Sequence, residues 1–120
     1  ERTQVVFGMD NNETIAAENL ESHLSDDYKL IDVREQDEWD AGHHPEAIHI
    51  PMGTIPQKID DFKTSDNYII ICRSGARSGR VSSFMKNEGF DSLNLTGGMK
   101  ELSLSSKKIV DLNGNNGTVI

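Results

Sequence analysis

The sequence predicts an α/β domain with a central, mostly parallel sheet of five strands and helices on both faces. Residues 68–71 form a continuous apolar run rich in β-branched residues, which is typical of a parallel strand buried on both faces. Apolar residues at helical spacing follow this run, at Val81, Phe84 and Met85. Because strand and helix patterns alternate along the chain, they favour parallel strand–helix–strand units.

Local patterns place each element. Apolar and β-branched runs predict strands at 14–15, 30–33, around His49, at 68–71 and at 92–95. Helical spacing predicts helices at 16–24, after Arg34, at 55–62, from the loop after Cys72 to about Asn87, and after Met99. The loop after the fourth strand then lies at the carboxyl edge of the sheet, where open α/β sheets place their sites.

Length and composition limit the classes of function. A chain of 120 residues forms one domain. The net charge of −8 and the pI near 4.8 argue against nucleic acid or an anionic membrane as a partner. A single cysteine permits no internal disulfide and no cysteine-rich zinc site. No apolar run approaches the roughly 20 residues of a membrane span.

We divide the chain into three parts. Residues 1–13 are an N-terminal extension, part of which could be foreign to the natural protein. Within it, 5–7 could pair as an edge strand or be disordered, and we expect poor order. Residues 14–104 are the α/β domain. Residues 105–120 are a tail, in which β-branched segments flank 113–116 and predict a hairpin. No signal peptide is visible, which favours a cytoplasmic location, although a chain beginning at Glu1 leaves an upstream segment open.

The segment 72–80 holds the only cysteine and three of the five arginines of the chain. It joins a strand to a helix, so the N–H groups of the helix start can face the thiol. A free cysteine has a pKa of about 8.5, and a helix N-terminus with adjacent arginines lowers it to roughly 3.5–7.5. Gly75 and Ala76 keep the loop bare, which lets N–H groups approach a bound anion or a second sulfur atom. We therefore predict a reactive thiolate at Cys72.

A packing role is the alternative for this residue, because lone cysteines are among the most buried residues and most are inert. The flanking arginines, serines and glycines favour the reactive role, since they supply the positive charge and the N–H groups that stabilise a thiolate.

The loop C-R-S-G-A-R-S resembles the active-site loop of the rhodanese-like sulfurtransferases. Residues 30–35 are similar to the family's L-I-D-V-R-E, and 38–51 to its E-(W/Y)-x-x-G-H-I-P-x-A-x-x-I-P. Gly89-Phe90 and Gly97-Gly98-Met99 extend the resemblance, which covers roughly residues 14–102. His44 replaces the usual isoleucine and Leu102 the usual tryptophan, which predicts altered local packing and a shorter last helix.

The resemblance implies a rhodanese-like fold and thiosulfate sulfurtransferase activity. Six residues from Cys72 to Arg77 is the family's sulfurtransferase form, whereas related phosphatases and arsenate reductases have one residue more. We expect Cys72 to take a sulfane sulfur from thiosulfate, a persulfide or a polysulfide, and to pass it to cyanide or a thiol. The alternatives are a non-catalytic sulfur-carrier or regulatory module and, less favoured, a phosphatase or arsenate reductase.

The expected site has a binding loop and supporting residues. The resemblance and the loop pattern imply that the substrate is bound by Arg73, Ser74, Gly75, Ala76, Arg77 and Ser78. Support is expected from Asp32, Arg34, Glu38, His43, Gly97 and Gly98. Arg34 and Glu38, four residues apart, are expected to pair. We expect Arg73 to point to solvent, and Arg77 to lie nearer the thiol and lower its pKa.

The expected partners are a small anionic sulfur donor and a thiol or cyanide acceptor, with a protein sulfur acceptor as a further candidate. No metal or organic cofactor is expected. His43, His44 and His49 lie close together in the sequence, but Pro45 breaks the helical spacing at which metal ligands converge.

Overall fold

The computed structural model describes residues 13–105 and 108–120, so the edge strand considered for 5–7 lies outside the described residues. The predicted parallel sheet is confirmed. Its five strands run parallel to their neighbours in the order β1-β5-β4-β2-β3. These strands are β1 (Thr14–Ile15), β2 (Lys29–Asp32), β3 (Ile48–His49), β4 (Asn67–Ile71) and β5 (Asp91–Leu95).

Helices follow the strands as the periodicity predicts. In the described part of the chain they are α1 (Leu20–Ser25), α2 (Gln36–Ala41), α3 (Ile55–Lys58), α4 (Ala76–Asn87) and α5 (Gly98–Leu104). Short 3₁₀ turns at Ala17–Asn19, Met52–Thr54 and Ile59–Asp61 adjoin α1 and α3, so the helix expected at 55–62 is divided. Among the residues described, no helix has both the length and the apolar character needed to cross a bilayer.

The central strand β4 is buried on both faces. Ile69 and Ile71 contribute to the core that includes residues of α1 and α5, whereas Ile70 and Cys72 belong to the core that includes residues of α3 and α4. Successive side chains of a strand point to opposite faces, so this alternation directs Cys72 toward α4. Each fully buried isoleucine of β4 stabilises the fold by roughly 1.5–3 kcal/mol relative to an exposed one.

The parallel register brings the ends of β2 and β4 together at the carboxyl edge of the sheet. Asp32, the last residue of β2, pairs with Ile71, the last residue of β4. The Val33 N–H then donates to the Ile71 carbonyl at 3.0 Å. Strand β2 therefore begins and ends one residue earlier than the predicted 30–33. Cys72 follows β4 at this edge.

The tail reverses direction where the hairpin is predicted, but only isolated bridges pair its arms. The Gly117 N–H donates to the Ile109 carbonyl at 2.8 Å, and the Asp111 N–H donates to the Asn115 carbonyl at 2.9 Å. Single antiparallel bridges join Val110 to Asn116 and to His43. Beyond the reversal the chain passes α2 so closely that a Cβ on Gly117 would lie 2.8 Å from the Cα of Gly42. The tail therefore packs against the end of α2, and its two arms do not form a continuous ladder of hydrogen bonds.

Candidate active site

Cys72 lies between the end of β4 and the start of α4, with 1% of its surface exposed. The loop turns into α4 at Gly75, whose φ of +110° belongs to the left-handed region that favours glycine. This turn aims backbone N–H groups at the sulfur. The Gly75 N–H donates to the Cys72 Sγ at 3.1 Å, and the Ser78 hydroxyl lies 3.2 Å from the same sulfur.

Burial raises the pKa of the Cys72 thiol, but the hydrogen bonds around it outweigh burial and hold the pKa below its ordinary value. The donors are the hydroxyl and backbone N–H of Ser78 and the backbone N–H groups of Gly75 and Ser74. Donors that bond the charged form favour it. The lowered pKa agrees with the sequence prediction, but hydrogen bonds, not arginines, are its leading causes.

Backbone hydrogen bonds from the start of α5 fix the position of the loop. The Met99 N–H donates to the Cys72 carbonyl at 2.8 Å, and the Lys100 N–H donates to the Arg73 carbonyl at 2.9 Å. A Cβ on Gly98 would lie 2.6 Å from the Arg73 carbonyl carbon, and Gly98 has a φ of +58°. Only glycine fits this approach without a backbone shift, so Gly98 fixes the loop through its lack of a side chain.

A buried residue that the sequence predicts only as part of a strand joins this site. Asn94 of β5 is 5% exposed, and its Oδ1 accepts a hydrogen bond from the Ser78 hydroxyl at 2.6 Å. Its Nδ2 donates to the Gly75 carbonyl at 3.1 Å. Asparagine is depleted in strands, so an asparagine inside the predicted strand 92–95, three residues before Gly97, was the available signal.

Arg77 contacts a carboxylate of α2. Its two terminal nitrogens donate to the two carboxylate oxygens of Glu38, each at 2.8 Å. This bond with Arg77 lowers the pKa of Glu38 to about 2, against the opposing effect of burial and with help from the Glu35 N–H. The expected pairing of Arg34 with Glu38 is wrong, because α2 begins at Gln36 and leaves Arg34 outside the helix.

Arg34 instead forms a buried pair with Asp32. The Arg34 Nε and Nη2 donate to the Asp32 carboxylate at 3.0 and 2.9 Å, and both side chains are fully buried. The Arg34 Nη2 also donates to the Gly42 carbonyl at 2.7 Å. This pair fixes the chain between β2 and the end of α2, and thereby supports the helix that carries Glu38.

The outer surface of the loop and of the first turns of α4 carries Arg73, Ser74, Ala76 and Arg80. Ser74, Ala76 and Arg80 are exposed, while Arg73 is partly exposed and its Nε donates to the Ile120 carbonyl at 2.7 Å. The terminal nitrogens of Arg73 have no hydrogen-bond acceptor among the described residues. Arg73 thus stands at the outer side of the loop, as the sequence predicts.

The histidines have packing partners. Trp39 stacks between His43 and His49, with ring centroids 3.6 and 4.7 Å apart. The Nδ1 of His43 lies 2.7 Å from the Trp39 carbonyl, and the Nε2 of His49 lies 2.7 Å from the Arg34 carbonyl. These contacts tie α2 to β3 beside the loop.

His44 lies close to two carboxylates, which raises the question of a metal site. Ligand atoms of Glu21, His44 and Glu46 lie within 4.8 Å of one another. The Glu46 N–H donates to the His44 Nδ1 at 3.0 Å, so the ring proton sits on Nε2, which is 2.9 Å from Glu21. A metal on Nε2 would force a proton onto Nδ1, facing that N–H. The hydrogen bonding favours a structural role.

The fold and the loop define an α/β domain with a cysteine cradle after its central strand. Residues 16–105 match the family model described as the rhodanese-like domain. The chain belongs to the rhodanese-like domain family, as its motifs predict.

Named relatives agree. The putative sulfurtransferase YtwF of Bacillus subtilis (strain 168) is 46% identical over 70 residues, which are 58% of this chain and 68% of the relative. A sulfurtransferase of Allochromatium vinosum is 35% identical over 88 residues, 71% of this chain and 82% of the relative. The crystal structure of SSP1007 from Staphylococcus saprophyticus superposes with a TM-score of 0.73 at 32% identity, covering 79% of this chain and 97% of that one. The chain is thus similar to single-domain sulfurtransferases.

Proposed function

We propose that this protein transfers a sulfane sulfur atom through a persulfide on Cys72, with thiosulfate, a persulfide or a polysulfide as donor. The observation that carries the proposal is the set of N–H and hydroxyl donors aimed at the Cys72 Sγ from Gly75 and Ser78. They stabilise a thiolate, which is the nucleophilic form of cysteine. The family membership supports the same chemistry.

The proposed reaction has two steps, uptake of sulfur by Cys72 and its transfer to the acceptor. In the first, the Cys72 thiolate attacks the outer sulfur of thiosulfate, an S–S bond forms, and the bond to the sulfonate sulfur breaks with release of sulfite. The negative charge then lies on the terminal sulfur of the persulfide. In the second, cyanide attacks that terminal sulfur, thiocyanate leaves, and the S–S electron pair returns to Cys72 as a thiolate. Two protein states with two substrates give ping-pong kinetics.

The loop holds the terminal sulfur in this scheme. The N–H groups of Ser74, Gly75 and Ser78 bond the Cys72 sulfur and supply hydrogen bonds to an added anionic sulfur. Arg73 binds the anionic end of the donor, since its terminal nitrogens have no acceptor in the described chain. Arg77 is held by Glu38, so its guanidinium is fixed in place, and its charge still interacts with the Cys72 thiolate.

Intact-mass spectrometry tests the proposal. After incubation with thiosulfate, the protein should gain the mass of one sulfur atom, and cyanide should remove it and release thiocyanate. The chain contains one cysteine, so Cys72→Ser should abolish both events and serves as the control.

The other outcomes have distinct meanings. An adduct that forms but supports only a single turnover with cyanide or a thiol would identify a sulfur carrier. No adduct from any of the three donors, together with hydrolysis of an aryl phosphate, would overturn sulfur transfer and identify a phosphatase.

A further inference from the structure

We propose that Asn94 is a positioning residue that competes with Cys72 for the single proton of the Ser78 hydroxyl. The Ser78 Oγ lies 2.6 Å from the Asn94 Oδ1 and 3.2 Å from the Cys72 Sγ. A hydroxyl has one proton to donate, so it can satisfy only one of these two acceptors at a time. Ser78 and Asn94 are both buried, which keeps water from supplying a second donor.

The orientation of the Asn94 amide is fixed by its second hydrogen bond. The Nδ2 donates to the Gly75 carbonyl at 3.1 Å, and a flipped amide would place its oxygen against that carbonyl oxygen. The Oδ1 must therefore face Ser78. A separation of 2.6 Å lies at the short end of hydroxyl hydrogen bonds, so two oxygens without a proton between them would repel at this distance.

The two charge states of the cysteine need different positions of this proton. When Cys72 is a neutral thiol, the Ser78 proton lies on the Asn94 side and the thiol can donate its own proton to the Ser78 Oγ. When Cys72 is a thiolate, the hydroxyl donates to the sulfur, and the bond between Ser78 and Asn94 is lost. Asn94 thus opposes the stabilisation of the thiolate that Ser78 provides.

In the transfer cycle this competition favours the persulfide, a consequence that rests on the proposed function. The negative charge of a persulfide lies on its terminal sulfur, so the Cys72 Sγ becomes a neutral and weaker acceptor. The Ser78 proton can then return to Asn94. Asn94 therefore stabilises the persulfide relative to the free thiolate.

Other charged groups around the thiol stay unchanged in the test. Arg73 adjoins Cys72, and Arg77 at the start of α4 interacts with the Cys72 charge while bonded to Glu38 of α2. At the end of β2 the buried Asp32 and Arg34 bond each other. Replacing Asn94 alters none of these residues. It also leaves the Gly75 carbonyl with a donor, because the Gly79 N–H bonds it at 3.0 Å.

The test is the pH dependence of iodoacetamide alkylation in four proteins: wild type, Asn94→Leu, Ser78→Ala and the double variant. Alkylation reports Cys72 alone because the chain has no other cysteine. We expect Asn94→Leu to lower the apparent pKa by about 0.5–1 unit, the size of one neutral hydrogen bond. Ser78→Ala should raise the pKa of Cys72. The double variant should have the same pKa as Ser78→Ala, because Asn94 acts through the Ser78 hydroxyl.

A purely structural role for Asn94 predicts the opposite change in the pKa of Cys72. A loosened loop would form weaker hydrogen bonds to the thiolate and so raise that pKa. An unchanged or raised pKa in Asn94→Leu overturns the proposal, as does an equal lowering in the Ser78→Ala background. Circular dichroism checks that each variant is folded, and Asn94→Ala provides the same comparison if Asn94→Leu does not fold. These measurements require no sulfur transfer, so they succeed or fail independently of the mass-spectrometric test.

Discussion

The carboxyl ends of β2 and β4 are neighbours in the sheet, but the charged groups at these two ends are stabilised in different ways. At the end of β2, the Asp32 carboxylate is bonded directly by the guanidinium of Arg34, and both side chains are fully buried. At the end of β4, the Cys72 sulfur is bonded by N–H and hydroxyl groups, while the nearby Arg77 is bonded to Glu38. The first charge is neutralised by its partner. The second is stabilised by dipoles without being neutralised, so it stays available to react.

Along this edge of the sheet, the charged pair at β2 contributes to stability, whereas the donors at β4 favour reactivity. The Asp32–Arg34 ion pair holds its elements together, and because both side chains are fully buried it is not accessible to a substrate. The donors around Cys72 lower the pKa of its thiol, and in the proposed function they also bond the second sulfur atom. Changes at β2 should therefore affect mainly folding, and changes at β4 mainly reactivity.

The largest expected effect is from Arg34→Met. It leaves the Asp32 carboxylate buried without a partner, which should lower the free energy of unfolding by about 3–5 kcal/mol in urea titrations. The double variant Asp32→Leu/Arg34→Met should recover a large part of that loss, because neither charge remains. The matched change at β4, Cys72→Ser, should cost about 1 kcal/mol or less, because the cradle can bond a hydroxyl. Equal losses of unfolding free energy in Arg34→Met and Cys72→Ser would contradict this comparison of the two strand ends.

An intermediate effect is expected from Arg77→Met, and it should depend on pH. Arg77 lowers the pKa of Glu38 from 4.5 to about 2, so the folded state binds the Glu38 proton more weakly than the unfolded state. The stabilisation is complete above the unfolded pKa and is lost as the pH falls through the folded pKa. Partial exposure of Arg77 limits it to roughly 1–3 kcal/mol.

Urea unfolding of wild type and Arg77→Met from pH 7 to pH 3 measures this dependence. The difference in free energy of unfolding should narrow below about pH 4.5, the ordinary pKa of the carboxyl. Glu38→Gln is the matched control and should behave like Arg77→Met. A difference that stays constant over this range would exclude the Glu38 carboxylate as its source.

The smallest effect should come from Arg73→Ala, which removes the positive charge that we propose binds the anionic sulfur donor, without altering the thiol. Because this charge binds ground and transition states alike, KM for thiosulfate should rise about 3- to 10-fold with little change in kcat. Added salt should reproduce part of the increase in the wild type. Arg80→Ala, an exposed arginine one helical turn beyond the loop, is the control and should raise KM less. A fall in kcat at constant KM would assign Arg73 to the chemical step instead.

The sequence by itself determined the fold class and the centre of the site, because their signals are local. The apolar run of β4 and the helical spacing of α4 are read within about a dozen residues, and they place Cys72 between a buried strand and a helix start. The N–H groups that bond the sulfur, those of Ser74, Gly75 and Ser78, all belong to the short segment 72–80. Short-range geometry therefore sufficed to predict a lowered thiol pKa.

The tertiary structure decided which partners the polar side chains take. Glu38 bonds Arg77, 39 residues away, and not Arg34, four residues away, because α2 begins beyond Arg34. Asn94 reaches Ser78 from β5, and Arg73 reaches Ile120 of the tail, 47 residues away. Such pairings depend on how separate strands and helices pack against one another, and a linear sequence does not encode that proximity in any local pattern. The donors that surround the sulfur come from the loop and the first turn of α4, whereas the residues that bond this segment, Asn94, Glu38 and Ile120, lie in other parts of the chain.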